Sequence, residues 1–336
     1  MLKNIIRHYK ITFVFLSALC MCSCSYMRRS IHNSANGMYF DTLVTIDIYD
    51  NDDARSKALL DECMNMCEQY ENMFSKNIET SDIAKINSSN KPVKVSKDTI
   101  NLLNSALKYC ALSNGRFDIT VDPVSSLWDF HDENNNIPEK NALADAVKHV
   151  NYKNIVINES ENTVTLTDAG SSIDIGGAAK GYIADRIAER LTDAGINGAI
   201  INMGGDMRII GTKDSNPFTV GIADPSKNTE CIISLNLTDR SVATSGTYER
   251  YIKYNGVTYH HILDPKTGYS VDTDIVSATV ICPNAIDADC LATVSLLLGS
   301  NNALKLIEEL HDTEAIFVLS NNTVVKSSGA ASYIRN

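Results

Sequence analysis

The segment IDIGGAAKGYIAD (173–185) places a carboxylate, two adjacent glycines and a lysine directly before an amphipathic helix. Helix N-termini carry unpaired N–H groups and a partial positive charge, so such a segment is typical of an anion site. Lys180 precedes Gly181, which excludes a Walker loop, and the spacing of Gly176, Gly177 and Gly181 excludes a dinucleotide fingerprint. A strand-to-helix turn with a solvated lysine explains the same residues, so the segment alone leaves both interpretations open.

A second candidate site lies in DADCLATVSLLLG (287–299), where an acid and a hydroxyl stand four residues apart. Asp289 and Thr293 therefore share one face of a predicted apolar helix. Carboxylate and hydroxyl oxygens are hard ligands of the kind that Mg²⁺ binds, and Mg²⁺ commonly bridges to phosphate. An acid favoured by the helix dipole, and a threonine bonded to the preceding turn, explain the pair without a metal.

Three further segments are richer in polar and turn residues than their neighbours, at 115–130, 202–209 and 243–270. The last of them contains the adjacent pair His260 and His261. Successive side chains of a strand point to opposite faces, so at most one of these histidines is expected to face a common site.

Hydrophobic periodicity indicates the elements that must position these residues. Alternation in TLVTIDIYD (42–50) predicts the strand that opens the domain. Helices are predicted at about 53–74, 81–87, 97–115, 286–298 and 301–311. Strands are predicted on both sides of the glycine turn in 199–211, almost continuously from 218 to 281, and twice near the end of the chain. Because regular βαβ units are absent, we expect one mixed α+β domain that is not doubly wound.

Composition narrows the possible partners. The 336 residues are 44% hydrophobic and carry a net charge of −11, with no basic cluster in the body of the chain. This balance argues against a nucleic-acid partner. The six cysteines of the body lack the spacing of a zinc site and mostly lie in apolar segments, at 63, 67, 110, 231, 282 and 290.

The N-terminus has the pattern of an export signal. Three basic residues precede the apolar run ITFVFLSALCMCSCS, which ends in Cys20, Cys22 and Cys24. Ser23 before Cys24 fits a bacterial lipoprotein signal, so we expect a signal peptide over 1–24, lipid attachment at Cys24 and a tether over 25–36. The domain would follow from 37 to 336, exported and held on the outer side of the cytoplasmic membrane. An uncleaved anchor, or attachment through Cys20 or Cys22, is the alternative.

The motifs together resemble those of the ApbE family, the FAD:protein FMN transferases. Six motifs occur in the order typical of that family: FDITVDPVSSLW, IDIGGAAKGYIAD, INMGGDMRIIG, TSGTYERY, YHHILDPKTGYS and ADCLATVSLLLG. The resemblance covers about residues 38–330. It implies Mg²⁺-dependent cleavage of FAD at its diphosphate, transfer of FMN to a Thr or Ser hydroxyl of a protein, and release of AMP. The implied acceptors are flavin-acceptor domains of exported or membrane redox proteins.

The resemblance also assigns roles to individual residues. It implies that Asp174 and Lys180 lie against FAD, and that His261 lies near the reacting phosphate. The implied magnesium ligands are the main chain of Gly177 and the side chains of Asp289 and Thr293. The implied flavin contacts are Phe40, Arg116, Phe117, Asp118 and Ile262.

Two residues depart from the family pattern. Phe40 stands where a flavin-contacting methionine is common, and Asn77 stands where many members have an aromatic residue. Both departures leave open the balance between transfer to a protein and hydrolysis of FAD. Two alternatives follow: an FAD pyrophosphatase that uses water as acceptor, and an exported lipoprotein that binds flavin without catalysis.

Overall fold

A computed structural model describes residues 30–130 and 136–335. The predicted signal peptide, including Cys24, and residues 25–29 of the predicted tether lie outside these ranges. Within the described residues, no helix combines the length and apolar character needed to span a membrane.

Fifteen strands and eight α-helices make up the described chain. The strands are β1 (Ile31–Tyr39), β2 (Thr42–Asp50), β3 (Val93–Lys94), β4 (Ile155–Asn158), β5 (Thr163–Leu166), β6 (Gly198–Met203), β7 (Asp206–Gly211), β8 (Phe218–Asp224), β9 (Lys227–Leu237), β10 (Ser241–Gly246), β11 (Tyr251–Tyr254), β12 (Val257–His260), β13 (Ile275–Cys282), β14 (Glu314–Leu319) and β15 (Val324–Lys326). The helices are α1 (Asp53–Phe74), α2 (Asp82–Asn87), α3 (Lys97–Leu112), α4 (Asp122–Ser125), α5 (Lys140–Ala146), α6 (Ala179–Asp193), α7 (Ala285–Leu298) and α8 (Ser300–Glu309).

The central feature is an eight-stranded sheet in the order β1-β2-β6-β7-β10-β13-β14-β15, in which every pairing is antiparallel. Alternation along β2 places Val44, Ile46 and Ile48 wholly in the core, as its period of two requires. Smaller sheets are formed by β3-β5-β4, β8-β9 and β11-β12. The fold is therefore α+β with mixed helices and antiparallel sheets, which confirms the predicted class.

Local signals account for the predicted helices. The Ser81 and Ser96 hydroxyls each accept an N–H of the first turn of α2 and α3, from Ala84 at 2.9 Å and Thr99 at 3.0 Å. Beyond α3, Asn114 and Gly115 adopt positive φ, which ends the helix where the sequence predicts. The periodicity of 53–74, 286–298 and 301–311 is likewise realised, as α1, α7 and α8.

Helix α7 is buried along most of its length, packed on β10, β13 and α6. A Cβ added at Gly181 would lie 2.4 Å from the Ala285 carbonyl oxygen, so glycine permits the close approach of α6 to α7. Asp185 of α6 accepts the N–H groups of Ala285 at 2.8 Å and Ile286 at 3.0 Å, and so caps α7. These contacts place the two chemistry-bearing segments side by side.

The predicted tether extends too far into the chain. Residues 31–36 belong to β1, which pairs along its whole length with β2. The sequence of β1 is polar and does not show a strand pattern, because an edge strand keeps much of its side-chain surface in water. Phe40 and Asp41, with φ of 53° and 55°, form the two-residue turn between β1 and β2.

The six cysteines of the domain are all free. Five of them are buried, as their apolar segments predict, whereas Cys231 on β9 is exposed. Strands β3, β4 and β5 and the short helices α4 and α5 were not predicted, because each is too short to display a period.

Candidate functional site

Lys180, in the first turn of α6, lies between two carboxylates that come from different elements. Its Nζ atom is 3.1 Å from Asp206 Oδ2, at the start of β7, and 3.3 Å from Asp289 Oδ1 on α7. The Gly181 N–H donates to Asp289 Oδ2 at 3.1 Å, so the start of α6 is occupied by this carboxylate. We call Lys180, Asp206 and Asp289 the Lys180 cluster.

The Lys180 cluster holds more negative than positive charge in a buried place. Asp206 is 9% exposed and Asp289 is 3% exposed. Burial, together with the charge of Asp289, raises the pKa of Asp206 to about 7 in spite of Lys180. Burial opposes the charged form of Lys180, but the two carboxylates outweigh it and raise the lysine pKa. A surplus of buried carboxylate charge favours the binding of a cation.

The three residues predicted to bind magnesium lie close together. Asp289 and Thr293 project from one face of α7, as the spacing predicts. A Cβ added at Gly177 would lie 3.7 Å from Thr293 Oγ1, which makes the glycine turn the neighbour of the threonine hydroxyl. Thr293 Oγ1 is also 3.1 Å from Ser245 Oγ of β10. A carboxylate and a hydroxyl on one helix face, next to a glycine turn, fit a hard cation such as Mg²⁺.

The arrangement is not a metal site made of several His, Cys, Asp or Glu side chains. In residues 30–130 and 136–335, no group of three or more His, Cys, Asp or Glu side chains is placed to hold a metal. A cation at the Lys180 cluster would therefore depend on the Thr293 hydroxyl and on main-chain oxygens as well as on Asp289.

His261 follows β12 and is half-buried. Its Nδ1 lies 3.3 Å from the Arg250 carbonyl oxygen, a contact that requires Nδ1 to carry the proton and leaves a lone pair on Nε2. Burial, with the charge of Arg250 and a smaller effect of Lys180, lowers the pKa of His261 to about 4. The imidazole is therefore neutral at pH 7 and can accept a proton.

Asp174 lies in a second lysine cluster. Lys76 Nζ is 2.5 Å from Asp122 Oδ1 and 2.7 Å from Asp174 Oδ2. Asp174 Oδ1 accepts the Gly176 N–H at 2.9 Å. Burial disfavours the carboxylate, but the charge and hydrogen bond of Lys76 outweigh it, so the pKa of Asp174 is lowered. We call Lys76, Asp122 and Asp174 the Lys76 cluster.

Each residue of the predicted flavin loop 116–118 is turned toward the protein. Arg116 bonds the Leu297 carbonyl oxygen at 3.0 Å and Asp264 Oδ2 at 3.2 Å. Phe117 packs beside Gly177, where an added Cβ would lie 3.1 Å from its ring. Asp118 is 7% exposed and accepts the N–H groups of Thr120 and Tyr152, both at 2.8 Å. These contacts explain how the loop is held, and the contacts of all three residues with flavin stay a prediction.

Three residues named in the sequence comparison with the family remain: Ile262, Phe40 and Asn77. Ile262 is 7% exposed, and its carbonyl oxygen accepts the Val271 N–H at 2.9 Å. Phe40 packs on the main core, and its N–H donates to Glu71 Oε1 at 2.7 Å. Asn77 is exposed and directly follows Lys76. Their roles toward flavin stay predictions.

Three residues were not predicted from the sequence: Asp206 and Lys76, which complete the two clusters, and Ser245, which contacts Thr293. Asp206 lies in a segment that it singled out, NMGGDMRI, and an acid after two turn glycines was the available signal. Ser245 likewise lies in the singled-out segment 243–270. Lys76 carries no local signal, because its partners are 46 and 98 residues away.

Comparison with known proteins gives a consistent result. The family model described as ApbE family matches residues 40–317 of this chain. A protein of Treponema pallidum named FAD:protein FMN transferase is 30% identical, and the alignment covers 96% of this chain and 94% of that protein. A Klebsiella pneumoniae protein with the same name is also 30% identical and covers 85% of this chain and 88% of its own length.

Solved structures share the fold. The crystal structure of the ApbE protein from Thermotoga maritima is similar with a TM-score of 0.83 and 30% identity, covering 91% of this chain and all of the other. The flavin transferase ApbE from Vibrio cholerae is similar with a TM-score of 0.80 and 25% identity, covering 90% of this chain and all of the other.

Proposed function

This chain belongs to the ApbE family, and from that premise we propose that it moves FMN from FAD to a Thr or Ser hydroxyl of an acceptor protein, with Mg²⁺ and with release of AMP. Flavin transfer from FAD to a protein is the activity that its relatives' names state. The need for magnesium, the hydroxyl acceptor and the release of AMP are the finer parts of the proposal.

Asp289, the Thr293 hydroxyl and the main chain of Gly177 would hold the metal. When bound, Mg²⁺ would supply positive charge to the diphosphate as it is cleaved. Lys180 balances part of the carboxylate charge, so Asp206 and Asp289 can stay buried and still leave room for a divalent cation. Gly176 is exposed and has no side chain, so the diphosphate can approach the backbone of the turn.

His261 is our candidate for the base. The acceptor hydroxyl oxygen attacks the phosphorus of the FMN half, the bond from that phosphorus to the oxygen of AMP breaks, and AMP leaves. The hydroxyl proton passes to Nε2 of His261, which the Nδ1 contact with Arg250 leaves free to accept it. Beyond this proton transfer, the protein mainly positions the reactants and neutralises charge.

The observation that carries the proposal is the convergence of Asp289, Thr293 and Gly177 beside a buried lysine cluster with surplus negative charge. A protein that only stores flavin has no need of such a cation site. Either water or a protein hydroxyl could act as the acceptor in this geometry. The experiment must therefore distinguish hydrolysis of FAD from transfer of FMN to a protein.

The test is purified protein incubated with FAD, MgCl₂ and a flavin-acceptor domain, followed by chromatography of the flavins and mass measurement of the acceptor. Transfer predicts AMP together with an acceptor that is heavier by one FMN, and EDTA should prevent both. Free FMN with AMP would instead indicate hydrolysis, and intact FAD would indicate a binding protein. His261→Asn should bind FAD and transfer FMN slowly.

For location, we propose an exported lipoprotein held at Cys24 outside the cytoplasmic membrane. The basic residues, the apolar run and Ser23-Cys24 support this proposal. Several acyl chains, at about 0.8 kcal/mol per buried CH₂ group, would hold the domain near membrane redox proteins. Cys24→Ala in the full chain should move the protein to the soluble exported fraction with its activity on FAD unchanged. Continued membrane residence would support an uncleaved anchor or attachment through Cys20 or Cys22.

A further inference from the structure

Lys76 joins two segments that lie far apart in the sequence. It is the second residue after α1, and its Nζ contacts Asp122 at 2.5 Å and Asp174 at 2.7 Å. Across residues 30–130 and 136–335, no other ion pair reaches either of these carboxylates. The Lys76 side chain is 29% exposed, so water only partly screens the interaction.

The contacts continue from Asp174 into the glycine turn. Asp174 Oδ1 accepts the Gly176 N–H at 2.9 Å, and the Gly176 carbonyl oxygen lies 3.5 Å from Lys180 Nζ. The next residue, Gly177, is the neighbour of the Thr293 hydroxyl. The carboxylate that Lys76 holds therefore fixes the turn that faces the Lys180 cluster.

We propose that Lys76 is a positioning residue for flavin transfer, acting through Asp174 on the turn at Gly176 and Gly177; this inference rests on the proposed function. Without the ammonium group, Asp122 and Asp174 would face each other with no cation between them. Asp174 would turn away from Asp122 and release the Gly176 N–H. The turn would then no longer hold its place beside Thr293.

A different outcome is expected if Lys76 is only a structural ion pair. Asp174 also accepts the Ser125 hydroxyl at 3.2 Å, and this contact could hold the carboxylate alone. In that case loss of Lys76 would lower the unfolding temperature and leave the turnover of folded enzyme unchanged. Turnover expressed per FAD-binding site therefore distinguishes a positioning role of Lys76 from a purely structural one.

The experiment measures kcat for FMN transfer, the FAD dissociation constant in EDTA by flavin fluorescence, and the unfolding temperature. We expect Lys76→Met to lower kcat about 100-fold, as for a reactant displaced by about 1 Å, and to change FAD affinity less than about 5-fold. Lys76→Arg should keep most of the activity. Lys57→Met, at an exposed lysine that pairs with Asp53 on α1, is the matched control and should behave like the wild type.

A second substitution tests the charge argument directly. Adding Asp122→Asn to Lys76→Met removes the repulsion and should restore kcat to within about 10-fold of the wild type, whereas Asp122→Asn alone should change little. The inference is overturned if Lys76→Met keeps full kcat per FAD site, or if Asp122→Asn fails to restore it. A wild-type chain that binds FAD but transfers no FMN would instead count against the proposed function.

Discussion

The molecule contains two clusters with the same composition, one lysine and two aspartates, and they differ in how well their charges are satisfied. In the Lys76 cluster the ion-pair distances are 2.5 and 2.7 Å, and serine hydroxyls add further hydrogen bonds to both carboxylates. In the Lys180 cluster the corresponding distances are 3.1 and 3.3 Å. Burial acts to raise the pKa of both Asp174 and Asp206, but in the first cluster the charge of Lys76 outweighs it and lowers the pKa of Asp174. In the second cluster burial prevails, and the pKa of Asp206 is raised in spite of Lys180.

The difference indicates which cluster can do chemistry. Carboxylates that are fully paired stabilise the fold and offer little to a ligand. Carboxylates that are buried and underpaired gain from an added cation, and perturbed ionisation of this kind is common at functional sites. We therefore propose a positioning role for Lys76 and Asp174, and metal binding at the Lys180 cluster.

The largest expected effect follows from removing the carboxylate that both binds Lys180 and would bind the metal. Asp289→Ala should lower Mg²⁺-dependent FMN transfer about 1000-fold, because a metal ion contributes several kcal/mol to stabilising a phosphoryl transition state. The fold should persist, since the substitution also removes a charge that repels Asp206. Turnover is measured across a series of Mg²⁺ concentrations, together with the unfolding temperature.

Asp122→Asn provides the control for this substitution in the Lys76 cluster. It also removes one carboxylate from a lysine pair, yet transfer and its Mg²⁺ dependence should stay near those of the wild type. Equal losses in the two variants, or wild-type turnover in Asp289→Ala, would remove the distinction between the clusters.

The next effect concerns stability against pH. Asp206 has a folded-state pKa of about 7 against an ordinary value of 3.8, so the folded chain binds more protons than the unfolded chain between these values. Stability of the metal-free protein should therefore fall as the pH rises from about 4 through about 7, by between about 1 and 4 kcal/mol from this group. Urea unfolding in EDTA at pH 5.5 and 8.0 measures the difference.

Two variants assign this pH dependence to a cluster. Asp206→Asn should lose most of the difference between the two pH values, and saturating Mg²⁺ should reduce it in the wild type. Asp174→Asn should keep the difference, because the lowered pKa of Asp174 places its own contribution below pH 4. If Asp206→Asn keeps the difference in stability between the two pH values, the effect belongs to another buried acid. Asp185 is one such acid, because burial raises its pKa to about 6.

The sequence could predict those parts of the site that lie within one element. Asp289 and Thr293 share a helical face because of their spacing, and the structure places them so. Asp174 and Lys180 lie in one short segment, yet the turn at 176–178 sends them into different clusters. Local sequence patterns do not predict which carboxylate pairs with which lysine, because the strand order of the sheet and the packing of α6 on α7 determine these pairs.

The fold shows the same limit. Long periodic elements such as β2, α1 and α7 were predicted with nearly correct bounds. Strand β1 was not, because its sequence IHNSANGMY is polar and its edge position leaves it no second neighbouring strand to require apolar residues. Asp206 reaches Lys180 only because β7 lies between β6 and β10 in the sheet, which is a property of the topology.

The smallest expected effect compares one hydroxyl beside each cluster. Thr293 Oγ1 lies next to Gly177 and 3.1 Å from Ser245 Oγ, whereas Ser125 Oγ donates to Asp174 at 3.2 Å. Thr293→Val keeps the shape of the side chain but removes one proposed neutral oxygen ligand, while Asp289 would still supply the charge that attracts the metal. The Mg²⁺ concentration for half-maximal transfer should therefore rise about 10-fold, or about 1.4 kcal/mol, with kcat at saturating Mg²⁺ reduced less. Ser125→Ala should leave that concentration unchanged, because Lys76 and the Gly176 N–H still hold Asp174. If both variants shift it alike, the requirement for Mg²⁺ does not reside in the Lys180 cluster.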